Sequence, residues 1–239
     1  MRYLFCVVPS DAVPDLSAWR GDGAPLRAVT TDGIAGIVGE VDDARFDPEA
    51  LARLTADVAA LAPYARAHQE VVQFVFERAT AVVPMSFGSV HRSDDDAART
   101  LEAERGRVTT LLRRFRGMQE WGLRIARRRA RVAVDAAVPG AGAAYLAGRR
   151  RELRGELGAD ASAAADELDR RLAATSVARR VLDEDAGDLA LRVAYLVPLE
   201  RAGDLKRAVL ESGEGLESVG LAAELSGPWP PYSFAGGVS

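Results

Sequence analysis

Cysteine, lysine and histidine are scarce among the 239 residues. Cys6 is the only cysteine, so an internal disulfide is excluded and a small buried side chain in a reducing compartment is expected. The two histidines, His68 and His91, have no cysteine or second histidine at metal-ligand spacing. The sequence therefore predicts no metal site, and we interpret His68 as a structural or surface residue rather than a catalyst.

Long apolar segments and an excess of one charge are also missing. The apolar run at residues 3–8 is too short for a signal peptide, and no segment is long enough to cross a bilayer. The 31 basic and 35 acidic side chains leave a formal charge of -4, so the charge balance gives no reason to expect a nucleic-acid partner. We expect a cytoplasmic protein that neither binds nucleic acid nor inserts into a lipid bilayer.

The first part of the chain carries strand signals. Residues 3–8 predict a strand that is buried on both faces and central in its sheet. Residues 26–31 and 34–38 predict a hairpin whose tight turn is Asp32-Gly33.

Helix signals follow this hairpin. Residues 47–49 predict a helix start, and Pro63 predicts a break before the helix continues. Helical spacing predicts burial of Leu51, Leu54, Val58, Leu61, Ala67, Val71, Val75 and Phe76. A second helix is predicted from a Ser93 cap to about Phe115, with Gly117 as its stop.

Alternation from Trp121 predicts a further half-buried strand. Residues 1–133 then have the order strand, hairpin, helix, short strand, helix, strand, which predicts an α+β fold beginning with a ferredoxin-like sandwich. Residues 134–239 are expected to form a second domain, in which a helical pair or coiled coil at about 141–183 projects from the globular part. A small α+β unit should follow, with a strand at 191–199, a helix at 202–210 and a strand at 217–225.

Catalytic constellations do not emerge from the sequence. The acidic run at residues 94–96 predicts a helix cap rather than a cation site. The glycines of residues 139–142 lack the lysine of a phosphate loop, and the arginine clusters at 127–131 and 149–151 predict a solvated or salt-bridged face. Glu120 has no second acid or base in register, so catalysis there is not favoured.

Two motifs are distinctive. The first is Pro-x-x-Phe-Gly at residues 84–88, which precedes Glu120 by one helix, and the second is the aromatic-proline segment at residues 227–234. Between them the sequence Val-Ala-Tyr-Leu-Val stands at residues 193–197, and His68 lies on the helix before the first motif. In these motifs and in their order along nearly the whole chain, the sequence resembles the gas vesicle protein F/L family.

The resemblance implies an accessory protein without cofactor or enzymatic turnover. Its implied partners are the hydrophobic gas vesicle shell protein and other gas vesicle accessory proteins, and its implied role is to assist nucleation, assembly or growth of gas vesicles, with which it would be associated. The family-motif residues that we expect to be structural or partner-binding are Pro84, Phe87, Gly88, Glu120, Gly227, Pro228, Trp229, Pro230, Pro231, Tyr232 and Phe234.

The aromatic-proline segment has two possible uses. Its prolines predict an extended, rigid course that continues neither strand nor helix. Its rings need cover, either from the chain's own sheet, which we favour, or from a partner.

Two other functional hypotheses stay open at this point. One is a small-ligand-binding or enzymatic domain, since a ferredoxin-like fold hosts many functions; it would require a pocket near His68, Glu120 and the Phe87 loop. The other is a purely structural component of the vesicle shell.

Overall fold

The computed structural model of the protein describes residues 1–21, 24–42, 48–128, 158–182 and 189–236. Within these ranges the fold is mixed α+β, with two antiparallel sheets and six α-helices. Packing divides the described residues into a first unit, residues 1–120 together with those from 228 onward, and a second unit within residues 121–227. The boundary predicted at residues 133 and 134 lies outside the described residues.

The first sheet is built around the opening strand, as the sequence predicted. Its strands run in the order β2-β3-β1-β4, with β5 also paired to β1. The bounds are β1 Arg2–Pro9, β2 Arg27–Thr31, β3 Ile34–Glu40, β4 Val83–Pro84 and β5 Val90–His91. The predicted hairpin is confirmed, because Thr31 pairs with Ile34 across the turn.

Three helices accompany this sheet: α1 Pro48–Ala56, α2 Val58–Phe76 and α3 Asp94–Phe115. The predicted break exists, but it lies at Asp57 rather than at Pro63, which is accommodated inside α2. The Asp57 side chain accepts the N–H groups of Ala59 and Ala60 at 2.9 and 3.2 Å. This cap starts a new helix upstream of the proline.

The predicted buried face of α2 is only half right. Val71 and Val75 are 4% and 0% exposed, as expected, whereas Val58 is 79% exposed and Ala67 is also exposed. The first core recruits only the second half of α2, so helical spacing alone overestimated burial. The core of this unit contains Cys6, Val8, Leu26, Ala35, Ile37, Val71, Val72, Phe74, Val75 and Val82.

Helix α3 follows its sequence signals closely. The Ser93 hydroxyl accepts the N–H of Asp96 at 3.2 Å, which confirms the predicted cap. The helix ends before Gly117, and its buried residues are Ala97, Leu101, Val108, Leu112 and Phe115.

The second sheet has the strand order β7-β8-β6-β9. Its strands are β6 Met118–Arg127, β7 Ala178–Val181, β8 Leu189–Pro198 and β9 Leu221–Trp229, and its helices are α4 Ala159–Thr175 and α5 Ala202–Ser218. Strand β6 has the predicted alternation but pairs in this second sheet, whereas we expected it to complete the first. The ferredoxin-like arrangement stays a prediction.

The projecting helical pair needs correction. Residues 141–157 lie outside the described residues, and α4 is a single helix whose Leu168 and Leu172 are fully buried in the second core. Residues 178–181 form β7, where we expected helix. Arg179 on β7 binds Asp169 on α4 at 2.5 Å, so long-range pairing overrides the helical composition of this stretch.

The later elements differ in their limits. Helix α5 continues to Ser218, so Glu217 is helical and the following strand starts at Leu221 rather than at residue 217. Pro228 and Trp229 end β9, and Tyr232–Ala235 forms a short helix, α6. The aromatic-proline segment is therefore not wholly extended, whereas we expected an extended course. Its prolines are compatible with this structure, because a proline is tolerated at a strand end and before the first turn of a helix.

None of the helices in the described ranges is long and apolar enough to span a membrane.

Candidate functional site

A cluster of rings joins the Phe87 loop to the aromatic-proline segment within the first unit. The His68 ring centroid lies 5.6 Å from that of Tyr3 and 5.9 Å from that of Phe5. The centroids of Phe87 and Tyr232 lie at 6.0 and 6.2 Å from it. The rings meet in tilted or edge-on geometries, which are favourable for aromatic pairs at these separations. We call these five residues the ring cluster.

Backbone hydrogen bonds position the Phe87 loop, residues 84–88. The Met85 N–H donates to the Phe5 carbonyl oxygen at 3.0 Å. The Gly88 N–H donates to the Tyr3 hydroxyl at 2.9 Å, and Gly88 has φ 87°. Because this backbone conformation is strained for residues with a Cβ atom, the glycine of the motif has a local structural cause.

Glu120 fixes the aromatic-proline segment. Its side chain is buried, at 8% exposure, and its carboxylate accepts two hydrogen bonds from one residue. The Ser233 N–H donates at 2.8 Å and the Ser233 hydroxyl at 2.7 Å. Glu120, for which the sequence offered no catalytic partner, therefore anchors the aromatic-proline segment. Hydrogen bonds to a carboxylate are stronger than those between neutral groups.

Arg107 on α3 supplies a second anchor. Its guanidinium donates to the Ala235 carbonyl oxygen at 3.3 Å and also to the carbonyl oxygen of Gly236. Ala235 is the last residue of the short helix α6 and Gly236 follows it, so the guanidinium lies at the C-terminal end of this helix.

Burial keeps the ring cluster neutral. His68 is 5% exposed, and neither ring nitrogen forms a hydrogen bond of good geometry with a protein group. Burial lowers the pKa of His68 to about 4, against a smaller opposing effect of the Met85 backbone. Burial likewise raises the pKa of the Tyr3 and Tyr232 hydroxyls. At neutral pH the cluster therefore offers packing rather than a poised acid or base.

A groove of about 460 Å³ runs beside α2 in the same unit. We call it the α2 groove; its lining residues are Arg66, Gln69, Glu70, Gln73, Phe74, Glu77, Arg78 and Trp229. Phe74 forms an apolar floor, with the Arg78 guanidinium 4.1 Å above its ring and Trp19 packed on it at 5.3 Å. Gln73 donates to Glu77 at 3.1 Å, while its own side-chain oxygen is buried and has no protein partner.

The structure brings most of the expected site residues together. Phe87, Gly88, Glu120 and Tyr232 surround or fix the ring cluster, and Pro84 pairs with Cys6 where β4 meets β1. Pro230 and Pro231 are buried within the segment, whereas Trp229 faces the α2 groove. Pro228 is exposed, Gly227 and Phe234 are half-buried, and none of these three takes part in the ring cluster.

Sequence reasoning missed several residues of the site. Ser233 lies inside the aromatic-proline segment, so its place in that motif could have marked it as a site residue. Tyr3 and Phe5 alternate with core residues on β1 and carried no separate signal. Arg107 and Phe74 are unremarkable in a helical pattern, and only the tertiary structure identifies them.

A metal centre has no support in the described part of the chain, where no three histidine, cysteine, aspartate or glutamate side chains are grouped to hold an ion.

Comparison with known proteins matches nearly the whole chain to one family. The family described as gas vesicle synthesis protein GvpL/GvpF matches residues 1–236. Gas vesicle protein L of a Streptomyces species is 30% identical over 252 residues, covering 99% of this chain and 93% of the relative. Gas vesicle protein L2 of Halobacterium salinarum is 26% identical and covers 98% and 91%.

A solved structure shows the same fold. The crystal structure of GvpF from Microcystis aeruginosa superposes with a TM-score of 0.70 at 15% identity, covering 98% of both chains. Family match, relatives and fold agree over nearly the whole length, and the chain belongs to the GvpL/GvpF family of gas vesicle synthesis proteins.

Proposed function

We propose that this chain is a non-enzymatic accessory protein that binds the hydrophobic gas vesicle shell protein and assists nucleation, assembly or growth of the vesicle. Family membership supports a role in gas vesicle formation, and the α2 groove supports binding of a protein partner. The partners would be the shell protein and other accessory proteins, and the site of action would be the cytoplasm, in association with the vesicle.

The α2 groove has the composition of a protein-binding surface. Trp229, which is half-buried, supplies accessible aromatic area above a floor closed by Phe74, and aromatic residues are enriched where binding energy concentrates. Arg66, Glu70 and Glu77 provide a rim with charges of both signs. Such a rim can pair with polar groups that flank an apolar segment and leaves the apolar centre to drive association.

The floor of the groove is held in place before any partner arrives. Phe74 is 9% exposed, and its ring is fixed between Trp19 and the guanidinium of Arg78. Arg78 also donates to the Phe74 carbonyl oxygen at 3.0 Å. A preorganised floor reduces the ordering cost of binding. A soluble partner that covers exposed apolar surface in this way would keep the shell protein from aggregating before it joins the vesicle.

Capture of co-expressed shell protein tests the proposal. The intact chain should retain the shell protein, and Trp229→Ala should reduce capture at least about tenfold, since loss of an interface tryptophan costs about 2 kcal/mol or more. Leu210→Ala is the matched control, because Leu210 is an apolar side chain that is 80% exposed on α5. Thermal unfolding should confirm that both variants are folded.

Two results would count against the proposal. Failure of the intact chain to retain any shell protein would remove the binding function itself. Equal loss of capture in both variants would remove the α2 groove as the binding site.

A small-ligand site is the second candidate, because about 460 Å³ lies within the usual range for such pockets and Gln73 offers an unpaired acceptor there. Stabilisation of the intact chain by a small polar compound, lost in Gln73→Leu, would favour this candidate. The same chain should then show no capture of shell protein.

A further inference from the structure

The aromatic-proline segment occupies a receptor formed by other parts of the first unit. The receptor consists of the Glu120 carboxylate, the Arg107 guanidinium and the four ring-cluster side chains outside the segment. Glu120 binds Ser233, Arg107 binds the carbonyls of Ala235 and Gly236, and the rings take Tyr232. Along the segment, the ring contact is thus at Tyr232 and the two charged anchors bind residues that follow it.

These contacts have the character of a peptide-recognition site. The receptor contacts five groups of the segment: one main-chain N–H, two main-chain carbonyls, one hydroxyl and one aromatic ring. Pro230 and Pro231 precede the ring and restrict the backbone before docking. A proline-stiffened segment loses little conformational freedom on binding, which is the usual advantage of proline-rich ligands.

The segment begins inside β9, at its last three residues. The division between the two units falls between Gly227 and Pro228. Gly227 has φ 135°, a conformation that favours glycine, and Pro228 is exposed and has no N–H to donate to the neighbouring strand. Rotation about Gly227 would release the segment together with Pro228 and Trp229, the last two residues of β9, and would leave Leu221–Ser226 in the strand.

The docked segment also lacks one expected interaction. The Tyr232 hydroxyl is buried and forms no hydrogen bond of good geometry with a protein group, and the same is true of both His68 ring nitrogens. Burying a polar group without a hydrogen bond opposes docking. The segment is therefore held by Ser233 and by the carbonyls that Arg107 binds, while its central ring adds packing alone.

We propose that the receptor also takes the aromatic-proline segment of a second copy of this chain, so that copies are linked by exchange of the segment. A second copy offers the same N–H, hydroxyl, carbonyls and ring, so every contact described above can form between chains. Within one chain the effective concentration of the segment is of the order of millimolar, so docking in the same chain dominates in dilute solution. Exchange then becomes important where many copies are crowded, as on the surface of a growing assembly.

Exchange would give an open-ended contact. The receptor and the segment are different surfaces, so one copy can donate to a second while accepting from a third. Exchange would also move Trp229, which belongs to the segment and lines the α2 groove. The test below changes neither Trp229 nor any other groove residue and uses no shell protein, so its outcome is separate from that of the function proposed above.

Two complementary variants test exchange in the full-length chain. Arg107→Ala/Glu120→Ala impairs the receptor and leaves the segment intact, whereas Tyr232→Ala/Ser233→Ala impairs the segment and leaves the receptor intact. Each variant alone should be a monomer by light scattering after size exclusion. An equimolar mixture should contain a species of twice the monomer mass, because one intact segment can fill one intact receptor. A mixture that stays monomeric while both variants are folded would overturn the proposal.

A peptide measurement covers the case in which a double variant fails to fold. A fluorescent peptide of residues 227–236 should bind a chain truncated after Pro231, which lacks Tyr232, Ser233 and the carbonyls that Arg107 binds, at least tenfold more tightly than wild type, whose receptor is already filled. Adding Glu120→Ala to the truncated chain should weaken peptide binding at least tenfold. No saturable binding to the folded truncated chain would equally overturn the proposal.

Discussion

Acidification from pH 7.5 to pH 5 should destabilise this protein through His68. The ring is 5% exposed and surrounded by Tyr3, Phe5, Phe87 and Tyr232, with no carboxylate among these neighbours. Its pKa falls from 6.5 to about 4 on folding, because burial disfavours the imidazolium. The unfolded chain therefore binds a proton in a pH range where the folded chain does not.

The sign and size follow from proton linkage. The contribution of His68 to stability is fully present above pH 6.5 and is lost as the pH falls toward about 4. At about 1.4 kcal/mol per pH unit, the loss between pH 7.5 and pH 5 is about 2 kcal/mol. Burial also lowers the pKa of His91, so the wild type alone would show a larger total loss.

Urea unfolding of wild type and His68→Phe at the two pH values isolates the effect. Phenylalanine keeps a ring in the cluster but removes the titrating group, and His91 is present in both proteins. The free energy of unfolding of the wild type should fall by about 2 kcal/mol more than that of the variant. An equal fall in the two proteins would refute the assignment of a buried, neutral His68.

Three further predictions concern stability and are measured by urea unfolding at pH 7.5. Gly88→Ala should cost about 1 kcal/mol or more because of its φ of 87°. Gly106→Ala, at an exposed position of α3 with open space around the new methyl, should instead stabilise by about 0.5–1 kcal/mol, and stabilisation by both substitutions would contradict the geometry of the Phe87 loop. Leu172→Ala should cost about 2–5 kcal/mol, because the side chain is fully buried in the second core, and a loss below 1 kcal/mol would contradict the packing of α4. Ser93→Ala should cost about 1 kcal/mol through loss of the α3 cap, and an unchanged urea midpoint would show that Ser93 does not stabilise α3 as its cap.

Local signals predicted the elements whose causes lie within a few residues. The Asp32-Gly33 turn, the Ser93 cap and the apolar run of β1 each appear in the structure where the sequence indicated. In these cases turn chemistry, capping and two-sided burial act within one element, so no distant contact is needed.

Long-range pairing decided the elements that were predicted wrongly. Residues 178–181 have a composition that fits a helix, yet β7 pairs with β8 and is tied to α4 through Arg179 and Asp169. The alternation of β6 is plain in the sequence, but alternation does not say which sheet a strand joins. Val58 follows the helical stripe and is exposed, because only the later part of α2 meets the first core.

The candidate site was predictable as motifs but not as contacts. Phe87 and Tyr232 were both named from their motifs, whereas their meeting around His68 depends on the tertiary fold. Glu120 was named as a family-motif residue, but its contact was not predictable because its partner is the main chain and hydroxyl of Ser233. Trp229 belongs to the same motif but faces the α2 groove rather than the ring cluster.

Deletion of the gene in its own host, followed by complementation, tests the central claim most directly. Vesicle yield, counted by electron microscopy, should fall sharply in the deletion strain and return with the wild-type gene and with Leu210→Ala. It should not return with Trp229→Ala when that protein is present at the wild-type level. Full vesicle yield in the deletion strain would contradict a role for this chain in gas vesicle formation.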